Sequence, residues 1–172
     1  MLESLIEILK SMPKEVVTLI LATLPIAELR FAIPWALATA PAGGGLSWPT
    51  AYLWAVIGNF IPVIPILLLL EPVSNFLRRF KVFDRFFTWL FERTRRRSKL
   101  IEKYEALGLI LFVGIPLPIT GAWTGSVAAF IFGIPLKYAI PCIILGIMLA
   151  GVVVTLASMG VISFIGIVKS GA

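Results

Sequence analysis

The chain has 172 residues, of which 59% are hydrophobic and 14% charged, with a net charge of +6 and no histidine; its mean hydropathy is +1.01. Soluble domains carry about 25% charged residues, so this composition excludes an ordinary water-soluble fold and marks an integral membrane protein. With no histidine, and with Cys142 as the one cysteine, there is no Ser-His or Cys-His hydrolase pair, no usual zinc site and no internal disulfide.

The first ten residues contain two acids and no basic n-region, so the chain is expected to start at Met1 without a cleaved signal peptide. Leu2, Leu5, Ile6, Leu9 and Met12 recur at helical spacing, with Glu3, Glu7, Lys10 and Lys14 elsewhere. This segment is too short to span, and residues 1–14 read as an amphipathic helix lying in the membrane interface.

Between Glu15 and Glu71 the only charged residues are Glu28 and Arg30. A charge inside a bilayer costs about 2.5–3.5 kcal/mol on insertion scales, so neither should persist there without a partner or a function. Residues at i and i+2 do not face each other on a helix, and Pro34 removes a backbone donor and clashes with the Arg30 carbonyl. Val16–Ala27 and Phe31–Ala42 are therefore two apolar arms of 12 residues each, both shorter than a spanning helix, on either side of the charged pair. They suit a re-entrant hairpin; the alternative is one kinked span across residues 16–40 holding a buried ion pair.

Gly43-Gly44-Gly45 reads as a flexible break, and Ser47-Trp48-Pro49 as a helix start with an interfacial tryptophan. A span of 21 residues follows from Thr50 to Leu70, interrupted by Asn59, Pro62 and Pro65, and the prolines predict a kink in its second half. Asn59 either contacts a hairpin or pairs with a neighbouring helix. Residues 76–105 then hold 10 of the 15 Lys and Arg residues, which places this loop in the cytoplasm. Phe76, Phe80, Phe83, Phe87 and Leu90 form a helical stripe beside the basic residues, suited to anionic headgroups on the inner surface. Orientation already explains the charge, so no nucleic-acid partner is expected.

The second apolar half starts near Tyr104 and Leu107. Leu109 to Gly114 runs into Ile115-Pro116-Leu117-Pro118-Ile119-Thr120-Gly121-Ala122-Trp123-Thr124-Gly125 and an apolar arm to Ile134, which predicts a second re-entrant hairpin. Pro135 opens a long apolar stretch to Val168, where Gly146, Gly151 and Gly160 permit close packing or a bend. Pro25–Ala38 matches Pro116–Ala129 in kind, and Trp48-Pro49-x-x-Tyr52 matches Ile134-Pro135-x-x-Tyr138. Each half is a hairpin that does not cross plus a span that does, so the halves form inverted repeats, a pattern of secondary transporters. The fold expected is an all-α membrane domain over 1–172: repeat one at 15–75, the basic loop at 76–105 and repeat two at 106–172. With the loop inside, the first hairpin enters from outside and the second from the cytoplasm. Both chain ends then lie outside, unless the stretch to Val168 crosses twice.

Glu28-Leu29-Arg30-Phe31-Ala32-Ile33-Pro34 and Pro116 through Gly125 resemble the two signatures of the small multidrug export family, itself similar to the DedA and VTT-domain superfamily. The resemblance covers nearly the whole chain and implies two facing re-entrant loops and transport. Members of the wider superfamily are linked to moving polyprenyl-phosphate or phospholipid headgroups, often with proton coupling. DedA proteins carry an arginine in the second hairpin, whereas residues 106–136 here contain no charge.

Burial and Arg30 act in opposite senses on the charge of Glu28, which makes it a candidate for proton coupling or the static half of an ion pair. Arg30 is placed to hold an anionic group or only Glu28. Thr120 is expected to cap the second arm, and Gly121 to leave backbone N–H groups open to an anion. The expected protein is a cofactor-free, non-enzymatic transporter of the cell's cytoplasmic membrane, crossing it more than once and coupled to protons or sodium. It would move a small amphiphile or lipid-phosphate headgroup at a midplane site of Glu28, Arg30, Pro34, Asn59, Pro116, Pro118, Thr120, Gly121, Trp123 and Thr124. A homo-oligomer surrounded by anionic lipids is expected. The alternatives are an exporter of cationic amphiphiles and a membrane assembly protein that transports nothing.

Overall fold

The computed structural model describes residues 12–39, 43–77, 79, 99–117 and 120–170, and every regular element among them is helical. In chain order these are α1 (Lys14–Thr23), α2 (Glu28–Leu37), α3 (Trp48–Phe60), α4 (Val63–Leu77), α5 (Lys99–Gly114), α6 (Ala122–Ile131) and α7 (Leu136–Ser170). Most of the interfacial helix expected at 1–14, most of the aromatic and basic stripe at 76–105, and Pro118 lie outside the described residues.

The chain divides into two compact units, one of Met1–Asn59 with Ala150–Ala172 and one of Phe60–Leu149. In the first, α1 packs along α2. Its core is built of small and medium side chains: Val17 and Ala22 from α1, Leu29, Ala32, Ile33 and Ala36 from α2, Ala51 and Ala55 from α3. Small residues let helix backbones approach where lipid gives no hydrophobic drive to pack. A Cβ on Gly58 would stand 2.3 Å from the Leu19 carbonyl oxygen, so this glycine sets the α1–α3 separation. Gly151 does the same for α7 and α3, where a Cβ would stand 2.8 Å from the Tyr52 ring.

In the second unit α6 packs on both α4 and α5. Gly125 and Gly146 close on Val113 from two helices, with Cβ positions 2.4 Å and 2.6 Å from its side chain. The close packing expected at Gly146 and Gly151 is therefore present, whereas nothing stands within 4 Å of a Cβ on Gly160.

Among the described residues, two helical stretches are long and apolar enough to cross a bilayer: Trp48–Ser74, of 27 residues, and Leu136–Val161, of 26 residues. At about 1.5 Å per residue either exceeds the ~30 Å hydrocarbon layer. Only 33% of the first apolar window and 50% of the second is buried by protein. The remainder, including Leu53, Ile57, Leu68, Leu145, Val152 and Leu156, is exposed as an apolar face that water would disfavour and lipid accommodates. The kink expected in the first stretch is a turn at Ile61-Pro62, where α3 ends and α4 begins. Leu136–Ser170 is one helix, with Pro141 inside it.

Two local expectations are corrected. Pro34 does not end a helix: α2 continues to Leu37, and the Ala38 N–H closes on the Pro34 carbonyl at 3.0 Å. The helix forgoes one bond, to the Arg30 carbonyl, and packing on α1 compensates. Gly43-Gly44-Gly45 is not a loose break either. The N–H groups of Gly44, Gly45 and Leu46 donate to the carbonyls of Trp35, Ala38 and Ala36, meeting the otherwise orphaned end of α2. A Cβ on Gly43 would stand 2.4 Å from the Ala38 oxygen, so only glycine fits there.

Candidate functional site

The first half turns where a proline dictates it. Leu24 precedes Pro25, is pushed out of the helical region to φ −73° and ψ 137°, and ends α1. The arms are thus ten residues each, and the second begins at Glu28 itself rather than at Phe31. Leu24, Pro25 and Ile26 are exposed, Ile26 at 96%, while Glu28 two residues on is 3% exposed.

Glu28 is the one non-glycine residue among those described with a positive φ, at 47°. The left-handed region costs an L-residue roughly 1–2 kcal/mol. Its N–H donates to the Leu24 carbonyl at 2.9 Å, which holds the turn closed. The same backbone explains an ion pair that helical spacing forbids. Arg30 Nη2 donates to Glu28 Oε2 at 2.9 Å because Glu28, left-handed, does not project its side chain along the helical direction. The two side chains are unequally sheltered, with Arg30 at 23% exposure and Glu28 at 4%. At the first turn of α2 the helix dipole favours the carboxylate and opposes the guanidinium. The arrangement is a sheltered acid at a strained turn, covered by a base that reaches the surface.

Thr23 fastens this turn to the rest of its unit. Its hydroxyl lies 2.9 Å from the Leu19 carbonyl and 3.1 Å from the Gly58 carbonyl of α3, sharing its proton between them. Gly58 of α3 therefore meets the hairpin, through its carbonyl. Asn59 is 1% exposed, and its Oδ1 has no hydrogen-bond partner. The sequence reading missed both Thr23 and Gly58; a threonine and a glycine on apolar helices were the available signals.

The second group of expected site residues lies in the other unit. Pro116 sits in the break between α5 and α6. Thr120 does not cap α6. Its hydroxyl donates backwards to the Ile115 carbonyl at 2.6 Å, lies 3.2 Å from the Leu117 carbonyl and accepts from the Leu117 N–H at 3.1 Å. Thr120 therefore stitches the break itself, and the N-cap of α6 is Gly121, which supplies no side-chain bond. Gly121 carries the start of α6, with the Gly125 N–H on its carbonyl at 2.8 Å. Trp123 is half-buried in the first turn and Thr124 is exposed, its hydroxyl 3.4 Å from the Gly121 carbonyl. Within the two units, then, Glu28 joins Arg30, and Thr120 joins residues 115–117. Among the described residues no cluster of three or more His, Cys, Asp or Glu side chains is placed to hold a metal.

No curated protein and no solved structure matches the chain. A family model described as "Putative small multi-drug export protein" matches residues 28–153, starting at the strained glutamate and ending within α7. With most of the chain inside that match and two apolar stretches of spanning length, this is a membrane protein, and it belongs to the small multi-drug export family.

Proposed function

We propose that the protein carries a small amphiphile, or the phosphate-bearing headgroup of a lipid, across the bilayer, with Glu28 and Arg30 as its charged element. The observation that carries this reading is the sheltered Glu28 carboxylate on a left-handed backbone, paired to a half-exposed Arg30. A static turn already favoured by Pro25 needs neither the strain nor two charges in an apolar region. In this reading α1–α2 and α5–α6 are re-entrant hairpins of inverted repeats, akin to the DedA and VTT-domain proteins that the motifs resemble. Glu28 takes and releases the coupling proton, and Arg30 meets the anionic group of the substrate when Glu28 is protonated. Thr120, Gly121, Trp123 and Thr124 form a second polar element; Pro34, Pro116 and Asn59 shape the helices beside these groups. The basic segment at 76–105 orients the protein in the cytoplasmic membrane against anionic lipids. The family's description, which names multi-drug export, supports a second reading as an exporter; here the exported molecules are cationic amphiphiles, and Glu28 binds the cation in place of Arg30.

The test uses purified protein in proteoliposomes, with Glu28→Gln, Arg30→Gln and the double variant compared for melting temperature and for pH-dependent flux. The probes are a fluorescent organic cation and a headgroup-labelled anionic phospholipid. Glu28→Gln mimics the protonated acid, so it is expected to fold, to bind and to lose the pH dependence of flux. Loss of lipid flux in Arg30→Gln supports the first reading, whereas loss of cation flux in Glu28→Gln alone supports the second. A Glu28→Gln protein that misfolds and is rescued by the double change leaves the pair a purely architectural role.

A further inference from the structure

A groove on α3 and α7 shares no lining residue with the α1–α2 turn and takes no part in the function proposed above. It encloses about 500 Å³ and is lined by Trp48, Tyr52, Val152, Thr155, Leu156 and Met159. No charged residue is among them. The volume falls within the range of sites that take a small ligand, and exposed Val152, Leu156 and Met159 open it toward the apolar surroundings of the span.

Thr155 distinguishes the groove from a packing defect. It is 4% exposed and its hydroxyl has no hydrogen-bond partner. Other hydroxyls in these helices donate to the carbonyl four residues back, as Thr18 does to Lys14, Thr23 to Leu19, Ser126 to Ala122 and Ser158 to Val154. The Thr155 hydroxyl does not use the Gly151 carbonyl in this way. A buried donor left unmet is disfavoured, and an acceptor arriving in the groove would satisfy it.

Trp48 gives the depth. It begins α3 and is exposed, and a tryptophan at the end of a membrane span sits at the level of the headgroups. Ester carbonyls of glycerolipids lie at the adjoining boundary with the acyl chains. Carbonyl acceptor, apolar chain and membrane depth therefore coincide in one ligand class.

We infer that this groove holds one acyl chain of a membrane glycerophospholipid, with the Thr155 hydroxyl donating to the ester carbonyl of that chain. A charged ligand finds no counter-charge in the lining, and the open side of the groove faces hydrocarbon.

The experiment compares ester-linked dioleoylphosphatidylcholine with its ether-linked analogue, which has the same chains and headgroup but no carbonyl. Full-length protein is reconstituted into nanodiscs of each lipid and returned to mild detergent, and retained lipid is counted by native mass spectrometry. The wild type is expected to keep about one ester lipid per chain and roughly five-fold less ether lipid, the factor carried by one ordinary hydrogen bond. Thr155→Val keeps the shape of the side chain, and should lower ester retention to the ether level while leaving ether retention unchanged. Equal retention of the two lipids by the wild type overturns the inference without any variant. So does retention of neither, a dimer mass free of lipid, or undiminished ester retention in a folded Thr155→Val protein.

Discussion

Gly58→Ala offers the sharpest test of the packing that holds the charged turn. The added Cβ would meet the Leu19 carbonyl oxygen at 2.3 Å, the Ala22 Cβ at 2.9 Å and the Leu19 carbonyl carbon at 3.0 Å. Two of these neighbours are backbone and cannot rotate away, so α3 must retreat from α1 by about 1 Å, an overpacking that costs about 1–3 kcal/mol. The retreat also lengthens the 3.1 Å contact between the Thr23 hydroxyl and the Gly58 carbonyl, a bond worth about 0.6 kcal/mol between membrane helices. Against this, alanine improves helix propensity by about 0.8–1.0 kcal/mol. The net expectation is a loss of about 0.6–2.8 kcal/mol. Gly108→Ala is the matched control: it also lies inside a helix, but nothing stands within 4 Å of its Cβ position. It should gain up to about 1 kcal/mol. Reversible denaturation in mixed micelles would measure both. If Gly58→Ala is as stable as Gly108→Ala, the close α1–α3 approach is wrong.

Three further outcomes are expected. Glu28→Asn and Glu28→Gln both remove the charge, but asparagine tolerates the left-handed region better, so the Asn variant should be more stable by up to about 1 kcal/mol; equal stabilities in the same assay would count against the strained backbone. Thr120→Val removes the bonds that close the break before α6 and should cost about 1–2 kcal/mol, read as a lower melting temperature. Single cysteines in a Cys142→Ser background should react with water-soluble thiol reagents at the exposed tip positions Ile26 and Thr124 and stay protected at buried Leu67 and Val113; protection at Ile26 and Thr124 as well would argue against a wet re-entrant tip.

Terms local to the chain were legible without coordinates. An apolar composition, sparse charge and proline spacing determine that helices form in a membrane, that one breaks close to Glu28 and Arg30, and that prolines bend the long apolar stretch after Thr50; that the first break falls at Leu24-Pro25 was decided by the structure. The isolation of Glu28 and Arg30 in an apolar region was itself enough to single them out as a pair. Their spacing called for a break, since i and i+2 positions diverge on any regular helix, but it did not say how the two side chains meet. Only the turn, closed by the Leu24 carbonyl and packed on α1, decides that Glu28 is left-handed and that its carboxylate reaches Arg30. The same division holds at Pro34, where local propensity argues for a stop and the packed α1–α2 surface carries the helix through. It holds again at Gly43 and Gly44, whose freedom in an isolated chain becomes tight capping once the end of α2 needs donors. Thr120 turned backwards and Thr155 left without a partner belong with these. A hydroxyl has several acceptors of nearly equal worth, and the choice among them is made by whichever carbonyl the tertiary fold brings within reach.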